Sequence, residues 1–149
     1  MMIEEVIKQK FEDSHQKAVV NLIYTGNWMR DKQHGLFRSY EILPQHYNIL
    51  RILKGKYPKP VSPGEIKEVM LDKGNDVTRL LDKLVNKGWV KRGLCEENRR
   101  KMDVVITAEG LAFVEELSIP IKSIHEDLKK SLSKEEAEQL SSLLDKLRG

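Results

Sequence analysis

The chain has 149 residues, 33% of them charged and 40% hydrophobic, which fits one soluble, helix-rich domain with enough apolar material for a core. No apolar run reaches the roughly 18 residues of a membrane span, and the N-terminus lacks a signal-peptide core. A single cysteine cannot form an internal disulfide, so the expected setting is the reducing cytoplasm.

In chain order, residues 1 to about 34 read as one long helix. Ile3, Ile7, Phe11, Ala18 and Leu22, flanked by Val6, Val19 and Ile23, form an apolar band, and His34-Gly35 ends it. Residues 35–43 read as a loop or short turn. Pro44 opens a helix carrying Tyr47, Leu50, Ile52 and Leu53 that ends near Gly55. The stiff connector Tyr57-Pro58-Lys59-Pro60 leads on to Ser62.

Ser62 is a good N-cap, Pro63 suits the first helical position, and Glu65 stands where a capping box places it. Ile66, Val69 and Met70 give that helix an apolar stripe. Asp72-Lys73-Gly74-Asn75 is turn chemistry, with Asn75 able to cap a second helix. Val77, Leu80, Leu81, Leu84 and Val85 then repeat at helical spacing, and Gly88 closes that second helix. Two short helices joined by a glycine-containing turn form a helix-turn-helix, whose second helix fits a B-DNA major groove.

Trp89–Arg92 and Met102–Ile106 read as strands around the polar tip 96–101, which makes a winged helix. Thr107 caps the next helix. Its seam of Leu111, Val114, Leu117, Ile121, Ile124, Leu128 and Leu132 is near-heptad, with Pro120 expected to kink or divide it. Ser133 and Glu136 form a second capping box, starting a helix with Ala137, Leu140, Leu143, Leu144 and Leu147 on one face.

The expected fold is therefore mainly α with a small β-wing. It is a single domain, 1–149, in which a winged helix-turn-helix lobe (43–110) is flanked by dimerisation helices at 1–34 and 111–149. Charge agrees with that division. Residues 1–50 carry six basic and six acidic groups, 51–110 carry fourteen against nine, and 111–149 carry six against eight. The positive surplus falls on the winged helix, where phosphate contacts need it. One recognition helix reads few base pairs, so a homodimer reading two half-sites about 34 Å apart is expected.

The run Leu43–Leu50, the core Asp76-Val77-Thr78-Arg79-Leu80-Leu81-Asp82-Lys83-Leu84, and the wing Asn98-Arg99-Arg100 with Ile106–Gly110 beyond it resemble the MarR family of bacterial transcription regulators. The resemblance implies a homodimer on pseudo-palindromic double-stranded operator DNA, from which a small ligand or an oxidant often releases the protein; the role expected here is that of a repressor, and the expected effector is a small aromatic or amphipathic molecule. It places Ser62, Asn75, Asp76, Thr78, Arg79, Lys83, Arg99, Arg100 and Lys101 near DNA. Arg79 is the best base reader, because a guanidinium grips guanine O6 and N7 together. Thr78 and Lys83 suit phosphates. Asp76 either accepts from a cytosine amine, orients Arg79, or is only an acid favourable to the helix dipole. Arg100 falls at the position of the family's characteristic wing arginine, suited to a narrow minor groove. Asn98 stands where the family has Asp and offers that arginine a hydrogen bond rather than an ion pair.

Trp28, Met29, His46 and Tyr47 are candidates to line the effector space the resemblance implies; ordinary core packing is the competing reading. Cys95, in the first wing strand, sits beside Glu96 and Glu97, which oppose a thiolate. His15, His34, His46 and His125 lack metal-binding spacing, so no metal and no cofactor is expected. No glycine-rich phosphate loop, nucleophile elbow or paired acid set is present, so no enzymatic activity is expected. A winged-helix module that binds protein partners and not DNA is the alternative function.

Overall fold

The computed structural model describes residues 1–149, which form α1 (Ile3–Ile7), α2 (Ser14–Arg38), α3 (Pro44–Lys56), α4 (Pro63–Val69), α5 (Val77–Asn86), β1 (Val90–Leu94), β2 (Met102–Ile106), α6 (Ala108–Ser131) and α7 (Lys134–Arg148). The apolar stripe of α5 is the centre of the packing. Val77, Leu80, Leu81 and Leu84 are buried together with Ile49, Leu50 and Leu53 of α3, Ile66 of α4, and Phe113, Val114 and Leu117 of α6. Fully burying each such side chain is worth about 1.5–3 kcal/mol, so this cluster holds the lobe together. The strands are antiparallel, with Val90 opposite Ile106 at the base and Leu94 opposite Met102 toward the tip.

Local chemistry sets the joins. Ser62 Oγ accepts from the Glu65 amide at 3.2 Å, and Glu65 Oε2 accepts from the Ser62 amide at 3.1 Å. Ser133 and Glu136 repeat that capping box. Gly88 has φ +77°, and after it the Trp89 amide donates to Leu84 and the Gly88 amide to Val85, a Schellman ending. Thr107 Oγ1 accepts from the Gly110 amide at 3.0 Å and donates to the Gly88 carbonyl at 2.7 Å, tying α6 to the end of α5. Trp89 stacks on Phe113 with ring centroids 3.7 Å apart.

Several expectations need correction. The first 34 residues are not one helix. α1 ends with Lys8 at φ 53°, and Asp13 caps α2 by accepting from the Gln16 amide at 2.8 Å. An N-cap carboxylate interrupts what the apolar band would continue. Nor does Gly35 end α2, which runs on to Arg38 and buries Phe37 in the core, outweighing the roughly 1 kcal/mol helical cost of glycine. Asp76, not Asn75, caps α5, while Asn75 donates from Nδ2 to the Asp72 carbonyl. Pro120 does not divide α6. Cys95 falls just beyond β1, its amide donating to the Lys101 carbonyl at 2.8 Å. A further pairing has no counterpart in the sequence reading: Val61 exchanges two 2.9 Å backbone bonds with Val104, joining the lead-in of α4 to β2.

Candidate nucleic-acid interface

With its apolar stripe buried, α5 turns Thr78, Arg79, Asp82 and Asn86 to solvent, and Lys83 is half-buried. Asp76 Oδ1 accepts from the Arg79 backbone amide at 3.2 Å, so its carboxylate is committed to capping and favours the helix dipole. Ser62 Oγ is likewise committed to the α4 cap. The Arg79 guanidinium makes no hydrogen bond or ion pair within the chain. The N-terminal ends of α4 and α5 border a shallow groove lined by Pro63, Gly64, Lys67, Asn75, Asp76 and Thr78.

The wing supplies the second cationic element. Asn98 Oδ1 accepts from the backbone amide of Arg100 at 3.1 Å, and the Lys101 amide donates to the Asn98 carbonyl at 2.9 Å. Asn98 thus shapes the turn and does not hold the Arg100 guanidinium, contrary to the expected side-chain bond. A short Asx side chain reaches a backbone amide two residues on more readily than the end of a long side chain. Arg99 and Arg100 are exposed without an acidic partner. Lys101 is different: its Nζ lies 3.3 Å from Glu65 Oε1. The Ser62 amide and then Lys101 hold the Glu65 carboxyl below its ordinary pKa. Arg92 on β1 pairs with Asp82 on α5.

A cavity of about 580 Å³ lies among α2, α3, α6 and the turn after α4. Tyr47 lines it; Trp28, Met29 and His46 do not. Burial holds the Tyr47 phenol above its usual pKa, so it is neutral at neutral pH. His46 is buried, and its Nδ1 accepts from the Leu43 amide at 2.9 Å, closing the start of α3. Burial, and after it the nearby Lys83 ammonium, pushes the His46 pKa down. Trp28 is exposed on α2 with the Lys32 ammonium 4.2 Å from its ring centroid. Sequence reading missed the cationic wall of Arg30, Arg51 and Lys122, which three separate helices bring together. Gln45 Oε1, in the same wall, is buried without a donor.

The rest of the apolar surface lies on the terminal helices. Leu22, Ile23 and Trp28 of α2 are exposed, as are Leu140, Leu143 and Leu147 of α7, which buries no residue at all. No helix is long and apolar enough to cross a membrane.

A recognition-type helix, a β-wing carrying unpaired arginines and a buried core between them define a winged helix-turn-helix protein. No protein-family model matches the sequence. The chain is 30% identical to the MarR transcription factor from Planctomyces limnophilus, with a TM-score of 0.71 over 91% of this chain and 98% of that one. It is 27% identical to a cysteine-to-serine mutant of MarR from Escherichia coli complexed with operator DNA, with a TM-score of 0.74 over 99% of this chain and 98% of that one. Among curated relatives, the HTH-type transcriptional regulator PapX of Escherichia coli is 29% identical over 111 residues, 74% of this chain and 68% of PapX. The chain belongs to the MarR family of transcription regulators.

Proposed function

We propose that this chain is a sequence-specific DNA-binding repressor acting as a homodimer on a pseudo-palindromic operator. The observation that carries the reading is the unpaired charge: Arg79 on α5 and Arg99 with Arg100 on the wing stand exposed on the two elements that reach successive grooves of a duplex. In this reading Arg79 contacts a base edge, Thr78 and Lys83 contact phosphates, and Arg100 enters the minor groove. Asp76, Asn75 and Ser62 shape the helix starts beside the DNA. The family structure with operator DNA supports it.

The test is binding to duplexes enriched from a random pool by the purified protein, with salt varied. Arg79→Ala should lose about 1–3 kcal/mol of discrimination at one base position in each half-site. Arg100→Ala should lower the log–log salt slope by about 0.9 per wing. Failure of the wild-type protein to enrich any duplex would remove the reading.

The dimer is supported by α7, a 15-residue helix with nothing buried in its own subunit. The effector is supported by the cavity: an apolar floor that includes Phe37 and Tyr47 beneath Arg30, Arg51 and Lys122 suits a small amphipathic molecule. Phenolic acids should raise the melting temperature of the free protein and weaken its DNA binding, and Arg51→Ala should diminish both responses.

A further inference from the structure

The base of the wing is fixed to the body twice, by the Arg92–Asp82 pair on β1 and by the Val61–Val104 backbone bonds on β2. Beyond Leu94 and Met102 the strands stop pairing, and the tip from Cys95 to Lys101 carries its own turn hydrogen bonds. From that tip, the Lys101–Glu65 contact is the sole hydrogen bond or ion pair to the rest of the protein. Glu65 is well placed for it. Its Oε2 is already held by the Ser62 amide within the capping box, so Oε1 faces Lys101 with little rotamer freedom left to lose.

We propose that Glu65 and Lys101 are positioning residues, which aim Arg99 and Arg100 by tethering the wing tip to the start of α4, and that Lys101 is not itself a phosphate contact. The part of this that concerns DNA rests on the function proposed above. Arg99 and Arg100 immediately precede the tethered lysine, so anchoring Lys101 limits the directions both can take. An exposed ion pair shifts an equilibrium by up to about five-fold, which sets the scale of the effect.

Electrostatics and tethering predict opposite signs for Glu65→Gln. Glutamine at this position keeps the capping-box chemistry and removes a negative charge beside the DNA. Charge alone would tighten binding; loss of the tether should weaken it by about two- to five-fold. Lys101→Met should weaken it similarly. The double variant, Glu65→Gln with Lys101→Met, should bind no worse than Lys101→Met and keep the wild-type salt slope, because a neutral pair has been removed. Equal or tighter binding by Glu65→Gln would overturn the proposal. So would a salt slope lowered by about 0.9 per wing in the double variant, the signature of a lost phosphate contact.

Hydrogen exchange in the free protein gives a readout independent of DNA. The Cys95 and Lys101 amides, which close the tip, should exchange faster in Glu65→Gln, and unchanged exchange would overturn the tether. If the wild-type protein enriches no duplex, the proposed function fails, and the exchange result alone decides whether the tether exists.

Discussion

The winged-helix lobe and the terminal helices both carry apolar residues at helical spacing, yet they use them differently. In the lobe, α3, α4 and α5 and the first half of α6 bury their stripes against one another, leaving Ile49, Leu50, Ile66 and Leu84 without solvent exposure or nearly so. At the ends, α7 buries nothing, and α2 exposes Leu22, Ile23 and Trp28 along its length. Periodicity alone therefore shows that a helix has an apolar face, not what that face meets. A 15-residue helix with no packed face is marginal in water. The lobe is stabilised within its own chain, whereas the ends are explained by the proposed second copy.

That contrast is open to direct attack. Leu84→Ala, at the centre of the core, should destabilise the protein by about 2–5 kcal/mol, read by denaturant unfolding. Gly110→Ala should cost about 1–3 kcal/mol or more, because its Cβ would lie 2.2 Å from the Trp89 carbonyl oxygen, which belongs to backbone and cannot swing aside. Leu143→Glu on α7 should behave in the opposite manner. The core of the lobe should stay intact, with the buried cluster protected from hydrogen exchange, while light scattering shows monomers and DNA affinity falls. A Leu143→Glu protein that remains dimeric would show that α7 is not part of the subunit contact.

Whether a contact could be read from the sequence depended on its range. Ser62 with Glu65, Thr107 at the start of α6, and Gly88 after the α5 stripe act across three or four residues, and all were legible. The break before α2 was also written locally, in Asp13, but the apolar band on either side of it reads as continuous. Asn75 and Asp76 are adjacent and chemically able to cap; which one leaves the helix depends on how the turn packs. The Val61–Val104 pairing, the meeting of Arg30, Arg51 and Lys122, and the Lys101–Glu65 contact across 36 positions have no periodic signature. Those long-range meetings define the cavity wall and the set of the wing, so the candidate site was legible in its arginines and not in its supports.

The smallest expected effect sharpens the comparison through pH. Lobe stability should depend on pH through His46, which is buried as a neutral ring accepting from the Leu43 amide. Its folded pKa lies below the ordinary 6.5 because burial and Lys83 disfavour the imidazolium. As pH falls through 6.5 the unfolded chain takes up the proton first, so the contribution is fully present above that value and is lost toward the lower folded pKa. Glu4 and Glu65, whose pKa values are also lowered, act in a separate window beneath about 4.5. Between about pH 7.5 and 5.5, therefore, the wild-type melting temperature should fall more than that of His46→Gln, whose amide oxygen can still accept from the start of α3. Equal slopes for the two proteins would mean that the buried ring is not the group that titrates.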